Sequence, residues 1–330
     1  MKNGVIPVLG YDIGGTKIAV SLGLSDGTLL GSTRIINHNR GPEEVVPEMK
    51  AAGKELLDKY GISASDLAAV GIGSPAPMDI DAGLILKPTN MPLWLRVPIR
   101  DEMSEFFATK TYFDNDANAG ALAEWIFGSG KGCQDMVYVT LSTGIGGGII
   151  TNGRMVRGES KLAGEIGHMV LDRNGPECNC GLYGCYEAIC GGVALAKRIQ
   201  RDFAGQPNCR LAVLAGGLEK IDLIALEKGV REGDEYSVAL WDEMCQYNAQ
   251  AIGILINMLS PKRIVLGTLA WAAGDLFMDP VRKYLPNYCW PSIAQKCELV
   301  VSGLGRQIGE YSGLAVALDG LQEAGLWKMT

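Results

Sequence analysis

A two-domain α/β protein is the expectation, and three observations lead to it. The chain has 330 residues, more than a single hydrophobic core comfortably organises. Strand-like apolar runs alternate with segments of helical spacing along most of its length. Each half also opens the same way, with two strand-like runs around a glycine-rich turn: DIGGT at Asp12–Thr16 and STGIGG at Ser142–Gly147.

Taken in order, the apolar run Val5–Tyr11 reads as a strand. Ile18–Leu24 and Thr28–Ile36 then flank Ser25-Asp26-Gly27, a hairpin triplet with glycine where positive φ is required. Gly14 and Gly15 in the first turn let backbone approach a ligand closely and present N–H groups to an anion, while Thr16 and Lys17 add a hydroxyl and a charge. An ordinary hairpin turn is the other reading. Asp12 favours the first, because a carboxylate at the mouth of a phosphate loop can hold Mg²⁺.

Pro42–Tyr60 places Val45, Val46, Met49, Ala52, Leu56 and Leu57 at helical spacing, with Pro47 in the first turn or at a kink. Leu67–Ile72 is strand-like. Asn90, in PTNMPLW, is either a turn-former or a partner for a ligand hydroxyl. Asp114-Asn115-Asp116 lies between a strand-like TYF and a helical stretch, either as a helix cap or at the ligand-facing edge of a sheet. Met136–Leu141 and Gly147–Thr151 are strands around a second phosphate-type turn containing Thr143, Gly144 and Gly146. Helices follow at Ala188–Phe203, Asp222–Lys228, Asp234–Met258, Asp275–Tyr284 and Gly309–Ala324, and strands at Arg263–Leu266 and Glu298–Val301.

Between these halves, His168, Cys178, Cys180 and Cys185 form H-x9-C-x-C-x4-C, one imidazole and three thiolates. Soft sulfur with nitrogen is the donor set of a closed tetrahedral zinc site, and four protein ligands leave no position for substrate, so the metal is expected to be structural. A loop of unrelated buried thiols is the alternative. Pro176, Asn179, Gly181 and Gly184 describe a tight knuckle instead.

Composition narrows the class. Hydrophobic residues are 47% of the chain, and 37 acids against 30 bases leave a formal charge of -7 with no basic run, which disfavours nucleic acid as a partner. No apolar stretch reaches the ~18 residues of a membrane span, and the N-terminus lacks a secretion-type leader, so a cytoplasmic protein is expected. The nine cysteines are then read as metal ligands and buried thiols, not disulfides, with Cys133, Cys190, Cys209, Cys245, Cys289 and Cys297 as packing residues.

GEIGHM followed by CxCGxxGCxE resembles the signature of the ROK family of bacterial sugar kinases and sugar-responsive repressors. DIGGTK at Asp12–Lys17, NDANA at Asn115–Ala119 and STGIGGG at Ser142–Gly148 agree in order and spacing. The resemblance implies a two-domain actin-like, hexokinase-type (ribonuclease H-like) fold with an interdomain cleft. Residues 1–116 with 309–330 would form the smaller domain, carrying the first phosphate turn and the base, and 117–308 the larger one.

It further implies ATP-dependent phosphorylation of a hexose at the 6-hydroxyl, glucose first, with N-acetylmannosamine, fructose and allose as alternatives. Asp116 matches the family's catalytic base. Asn90, Asn115, Asp116, Glu165, His168 and Glu187 match its sugar contacts, with one His168 nitrogen on zinc and the other toward the sugar. Asp12, Gly14, Gly15, Thr16, Lys17, Thr143, Gly144 and Gly146 would serve ATP and its Mg²⁺, and a homodimer or higher homo-oligomer is implied. The chain departs from the family at Gly267-Thr268-Leu269, where paired glycines are usual, which bears on nucleotide preference. Family repressors carry an N-terminal helix-turn-helix, for which the residues before Asp12 leave no room. A catalytically silent sugar-binding protein is the remaining reading, against which Asp116, Asp12 and both turns weigh.

Overall fold

The computed structural model describes residues 5–329. Residues 1–4 and Thr330, which the expected smaller domain includes, lie outside the described residues. The chain divides into two compact units: Met1–Gly132, Glu159–Lys161 and Gly303–Thr330 in unit 1, and Cys133–Gly158 and Leu162–Ser302 in unit 2.

Unit 1 begins with β1 (Pro7–Ile13), β2 (Lys17–Leu24) and β3 (Leu29–Ile36), followed by α1 (Pro42–Lys59) and β4 (Ala69–Ser74). A two-stranded hairpin, β5 (Met78–Asp79) and β6 (Leu84–Ile85), precedes α2 (Ile99–Phe107), β7 (Thr111–Asn115) and α3 (Asp116–Ile126). Its main sheet has the order β3-β2-β1-β4-β7, antiparallel from β1 to β3 and parallel from β1 to β7. Helix α1 continues through Pro47 and buries the apolar face that its spacing predicts.

Unit 2 repeats the plan. It runs β8 (Met136–Leu141), β9 (Ile145–Thr151), β10 (Arg154–Met155), α4 (Tyr186–Cys190), α5 (Gly192–Asp202), α6 (Arg210–Ala215), α7 (Leu223–Glu232) and α8 (Glu235–Leu259). Then come β11 (Arg263–Leu266), α9 (Leu269–Ala273), α10 (Asp275–Tyr284), α11 (Pro291–Ala294) and β12 (Glu298–Val301). The sheet order is β10-β9-β8-β11-β12, again an antiparallel meander continued by two parallel strands. Long α8 contributes Leu240, Trp241, Met244, Ile252 and Leu255 to a core shared with β8 and β11. Asp222 and Asp234 cap α7 and α8 by accepting from Ala225 N and Ser237 N, so both helix starts are set by local chemistry.

The chain then returns to unit 1 as α12 (Ile308–Glu323), which packs on β1, β4 and α3. The fit is backbone on backbone: a Cβ at Gly71 would lie 2.0 Å from the Gly313 carbonyl oxygen. Buried Glu124 on α3 accepts from Ser129 N at 2.8 Å, Gly303 N at 3.1 Å and Leu304 N at 3.1 Å, tying the point where the chain leaves unit 1 to the point where it comes back.

Two expectations differ from what is observed. The chain passes from unit 1 to unit 2 after Gly132 and not after residue 116, because α3 packs against α12, β4 and β7. The single helix expected over Ala188–Phe203 is two, broken at Gly191, whose backbone is extended at φ -65° and ψ 143°. Short α2, α6 and α9 carry too few turns to show a period and were not expected. All nine cysteines are free thiols; Cys133, Cys190, Cys245 and Cys289 are buried, and Cys209 and Cys297 half-buried.

Candidate active site

In unit 1 the first glycine turn joins β1 to β2, closed by Gly14 N donating to Lys17 O at 3.1 Å. Asp12 is the penultimate residue of β1. Burial, reinforced by the carboxylates of Asp116 and Glu310 and opposed by Lys17, pushes its carboxyl up to about 7. Three carboxylates with one lysine are an arrangement that welcomes a divalent cation. Glu310, at the start of α12, also pairs with Arg34. It escaped the sequence reading because an acidic residue in a first helical turn looks like ordinary capping chemistry.

At the β7–α3 junction the two readings of Asp114-Asn115-Asp116 separate. Asn115 Oδ1 accepts from Asn118 N at 2.7 Å and caps α3, while Asn118 Nδ2 and Asn115 N both donate to Asp114 Oδ1 at 2.8 Å. Asp116, the first residue of α3, is exposed. The cap fixes the direction in which the helix starts, and that aims the next side chain outward. Asn90 is exposed too, on a loop fastened by buried Trp94, whose Nε1 donates to Arg40 O at 3.2 Å. A Cβ at Gly15 would lie 2.6 Å from the Asn90 carbonyl oxygen, so the space that Gly15 leaves open is filled by the Asn90 loop.

Unit 2 carries the counterpart turn between β8 and β9. Glu187 Oε2 on α4 accepts from Ile145 N at 2.8 Å, and a Cβ at Gly144 would fall 2.4 Å from that same oxygen. The break at Gly191 has its reason here: it frees Gly192 N and Val193 N, at the start of α5, to donate to the Ser142 and Thr143 carbonyls at 2.9 and 3.0 Å. Beside this turn, β11 is followed by Gly267-Thr268. Exposed Thr268 sits at φ 40° and ψ -88°, a strained conformation for a β-branched residue, with its Oγ1 3.2 Å from Thr140 Oγ1.

His168, Cys178, Cys180 and Cys185 converge, with their donor atoms all within 4.8 Å of one another. Cys178 Sγ lies 3.6 Å from His168 Nδ1, and Cys180 Sγ 3.7 Å from Cys185 Sγ. A tetrahedral ion with metal–sulfur bonds of about 2.3 Å and metal–nitrogen bonds of about 2.05 Å requires edges of about 3.8 Å between sulfurs and 3.6 Å between sulfur and nitrogen. Those two separations match the edges of a zinc-sized tetrahedral site, and the donor set of one imidazole and three thiols fits that ion. Nδ1 is the nitrogen on the cluster side, and Nε2 faces Glu165, 4.0 Å from its Oε2. Positive φ at Gly181 and Gly184 turns the knuckle, and Tyr186, whose hydroxyl donates to Asn248 Oδ1, anchors it to α8.

A duplicated five-stranded sheet, each copy with a glycine turn after its first strand, is the two-domain actin-like fold. The ROK family model matches residues 8–318, and the chain belongs to the ROK family. A glucokinase of Thermotoga maritima is 33% identical over 305 residues, 92% of this chain and 95% of that protein. Among solved structures, a ROK hexokinase from Thermus thermophilus has a TM-score of 0.81 at 29% identity, covering 96% of this chain and 100% of that one. A ROK family glucokinase from Streptomyces griseus, in complex with glucose and AMPPNP, has a TM-score of 0.76 at 28% identity, covering 95% and 99%.

Proposed function

We propose that this protein transfers the γ-phosphoryl group of ATP to the 6-hydroxyl of a hexose, with glucose as the preferred acceptor. The observation that carries the reading is the β7–α3 junction. Asn115 spends its side-chain oxygen on the helix cap, leaving Asp116 exposed at the first helical position and near enough to Asp12 to act on its charge, as Glu310 also does.

Asp116 would accept the proton of the 6-hydroxyl as its oxygen bonds to phosphorus and the bond to the ADP oxygen breaks. Asp12 would hold the Mg²⁺ that travels with ATP, the ion neutralising the phosphate oxygens. Asn90, Asn115, Glu165, His168 and Glu187 would bind the remaining sugar hydroxyls, each worth satisfying because an unpaired buried hydroxyl costs ~1–3 kcal/mol. Gly14, Gly15, Thr16, Lys17, Thr143, Gly144 and Gly146 would line the path of the nucleotide. Zinc on His168 Nδ1, Cys178, Cys180 and Cys185 would hold the imidazole so that Nε2 is free to meet the sugar. We place the reaction in the cytoplasm, where ATP is available; among the described residues no helix is long and apolar enough to cross a membrane. A homo-oligomer is part of the same reading, and sedimentation tests it.

One assay decides the main point: ATP, Mg²⁺ and glucose, N-acetylmannosamine, fructose or allose, with ADP release measured and the product identified by phosphorus NMR. Glucose 6-phosphate should form with the highest kcat/KM. Binding of a hexose with no turnover of any would leave the silent sugar-binding reading in its place.

A further inference from the structure

Asn37 follows the last residue of β3 and is 2% exposed. Its backbone N–H donates to the Thr16 carbonyl at 2.9 Å, and its side-chain Nδ2 donates to the Gly14 carbonyl at 2.8 Å, so the glycine turn is held at both ends by one residue. The same Nδ2 lies 3.2 Å from Met91 Sδ, one residue past Asn90. Gly15, between the two held carbonyls, packs against Asn90 so closely that a Cβ would meet Asn90 Cβ at 2.9 Å. Asn37 Oδ1 is buried with no hydrogen-bond partner among the described residues. An amide kept in spite of an orphaned acceptor points to what its donor side does.

We propose that Asn37 is a positioning residue that locks the glycine turn to the Asn90 loop, so that a hexose at Asn90 and a nucleotide at the turn strengthen each other's binding. The proposal rests on the kinase reading for the identity of the two ligands. The coupling rests on the packed chain Gly14, Asn37, Met91 and Asn90–Gly15. Linkage makes it reciprocal: the factor by which glucose raises nucleotide affinity is the factor by which nucleotide raises glucose affinity.

The test uses the intact, zinc-loaded chain as wild type, Asn37→Ala and Asn37→Asp, the last keeping shape but facing the Gly14 carbonyl with an acceptor. Steady-state rates are measured with ATP and glucose both varied, and glucose Kd with and without AMPPNP. The two KM values should rise together by about 5-fold or more in both variants, with kcat within about 3-fold because Asp116 stands on a different junction, and AMPPNP should no longer tighten glucose binding. A space-filling role alone would lower Tm, spare Asn37→Asp, and leave both KM values and the coupling as in wild type. That result overturns the proposal, as does a rise in only one KM. Should Asn37→Ala not fold, Gly15→Ala is the second variant: its Cβ displaces Asn90, and an unchanged pair of KM values would equally refute the coupling. If the wild type phosphorylates no hexose, the kinase reading fails, while the Kd measurements still decide whether the two ligands are coupled.

Discussion

The two units share a strand order and a turn position, yet they hold their turns by different means. In unit 1 the turn Gly14–Thr16 stands among the carboxylates of Asp12, Asp116 and Glu310, held by a neutral amide from Asn37. In unit 2 the turn Ser142–Gly144 is held by the Glu187 carboxylate and by the first N–H groups of α5, the positive end of a helix dipole. A duplicated topology thus supplies one turn beside several carboxylates, suited to a cation and a proton, and another pinned by one carboxylate and a helix N-terminus. Both turns also lie against a residue proposed to bind sugar, Asn90 in one unit and Glu187 in the other.

This division of labour can be broken, and the largest effect is expected at the base. Asp116→Asn keeps shape and removes the proton acceptor, so kcat should fall by ~10²-fold or more with hexose KM little changed. A near-normal kcat would take proton transfer away from unit 1.

Next comes the knuckle of unit 2. Cys180→Ser should lose the metal, seen as a drop from about one zinc per chain by metal analysis, and raise hexose KM by roughly 10- to 100-fold while ATP binding and helical content persist. A zinc-free variant with wild-type hexose KM would remove His168 from the sugar site.

Gly144→Ala probes the same unit from the other side of Glu187. Its Cβ would push the carboxylate off Ile145 N, and hexose KM should rise by about 5- to 10-fold. If ATP KM alone rises, the turn in unit 2 serves the nucleotide only.

The last effect is on stability and not on turnover, in unit 1. Asp12 stands at about 7 in the fold against an ordinary 3.8, so the folded state holds this proton more tightly than the unfolded chain. Its contribution is therefore complete below pH ~3.8 and is lost as pH rises through about 7. In Mg²⁺-free buffer this single group should lower stability by roughly 2–4 kcal/mol between pH 5 and 8, and Asp12→Asn should flatten that part of the Tm profile. A profile identical to wild type would show that burial does not act on Asp12 as described.

Much of this was legible in the linear chain because its causes are local. The strands at Arg263–Leu266 and Glu298–Val301 and the helix at Asp275–Tyr284 fall where pattern and punctuation put them. Asp222 and Asp234 announce two helix starts with side chains that reach only three residues ahead. The His168–Cys185 knuckle is compact enough for spacing alone to imply convergence. Other features had no local signal. Asn37 is one polar residue in a polar turn until folding sets it between Gly14 and Met91. Glu310 gains meaning only when α12 returns to β1, and Glu124 only when Gly303 and Leu304 come back to α3. Short-range hydrogen bonds and periodicity are written in neighbouring residues. Contacts between segments tens to hundreds of residues apart depend on loop closure and packing, so the surroundings of the two turns were decided only by the tertiary structure.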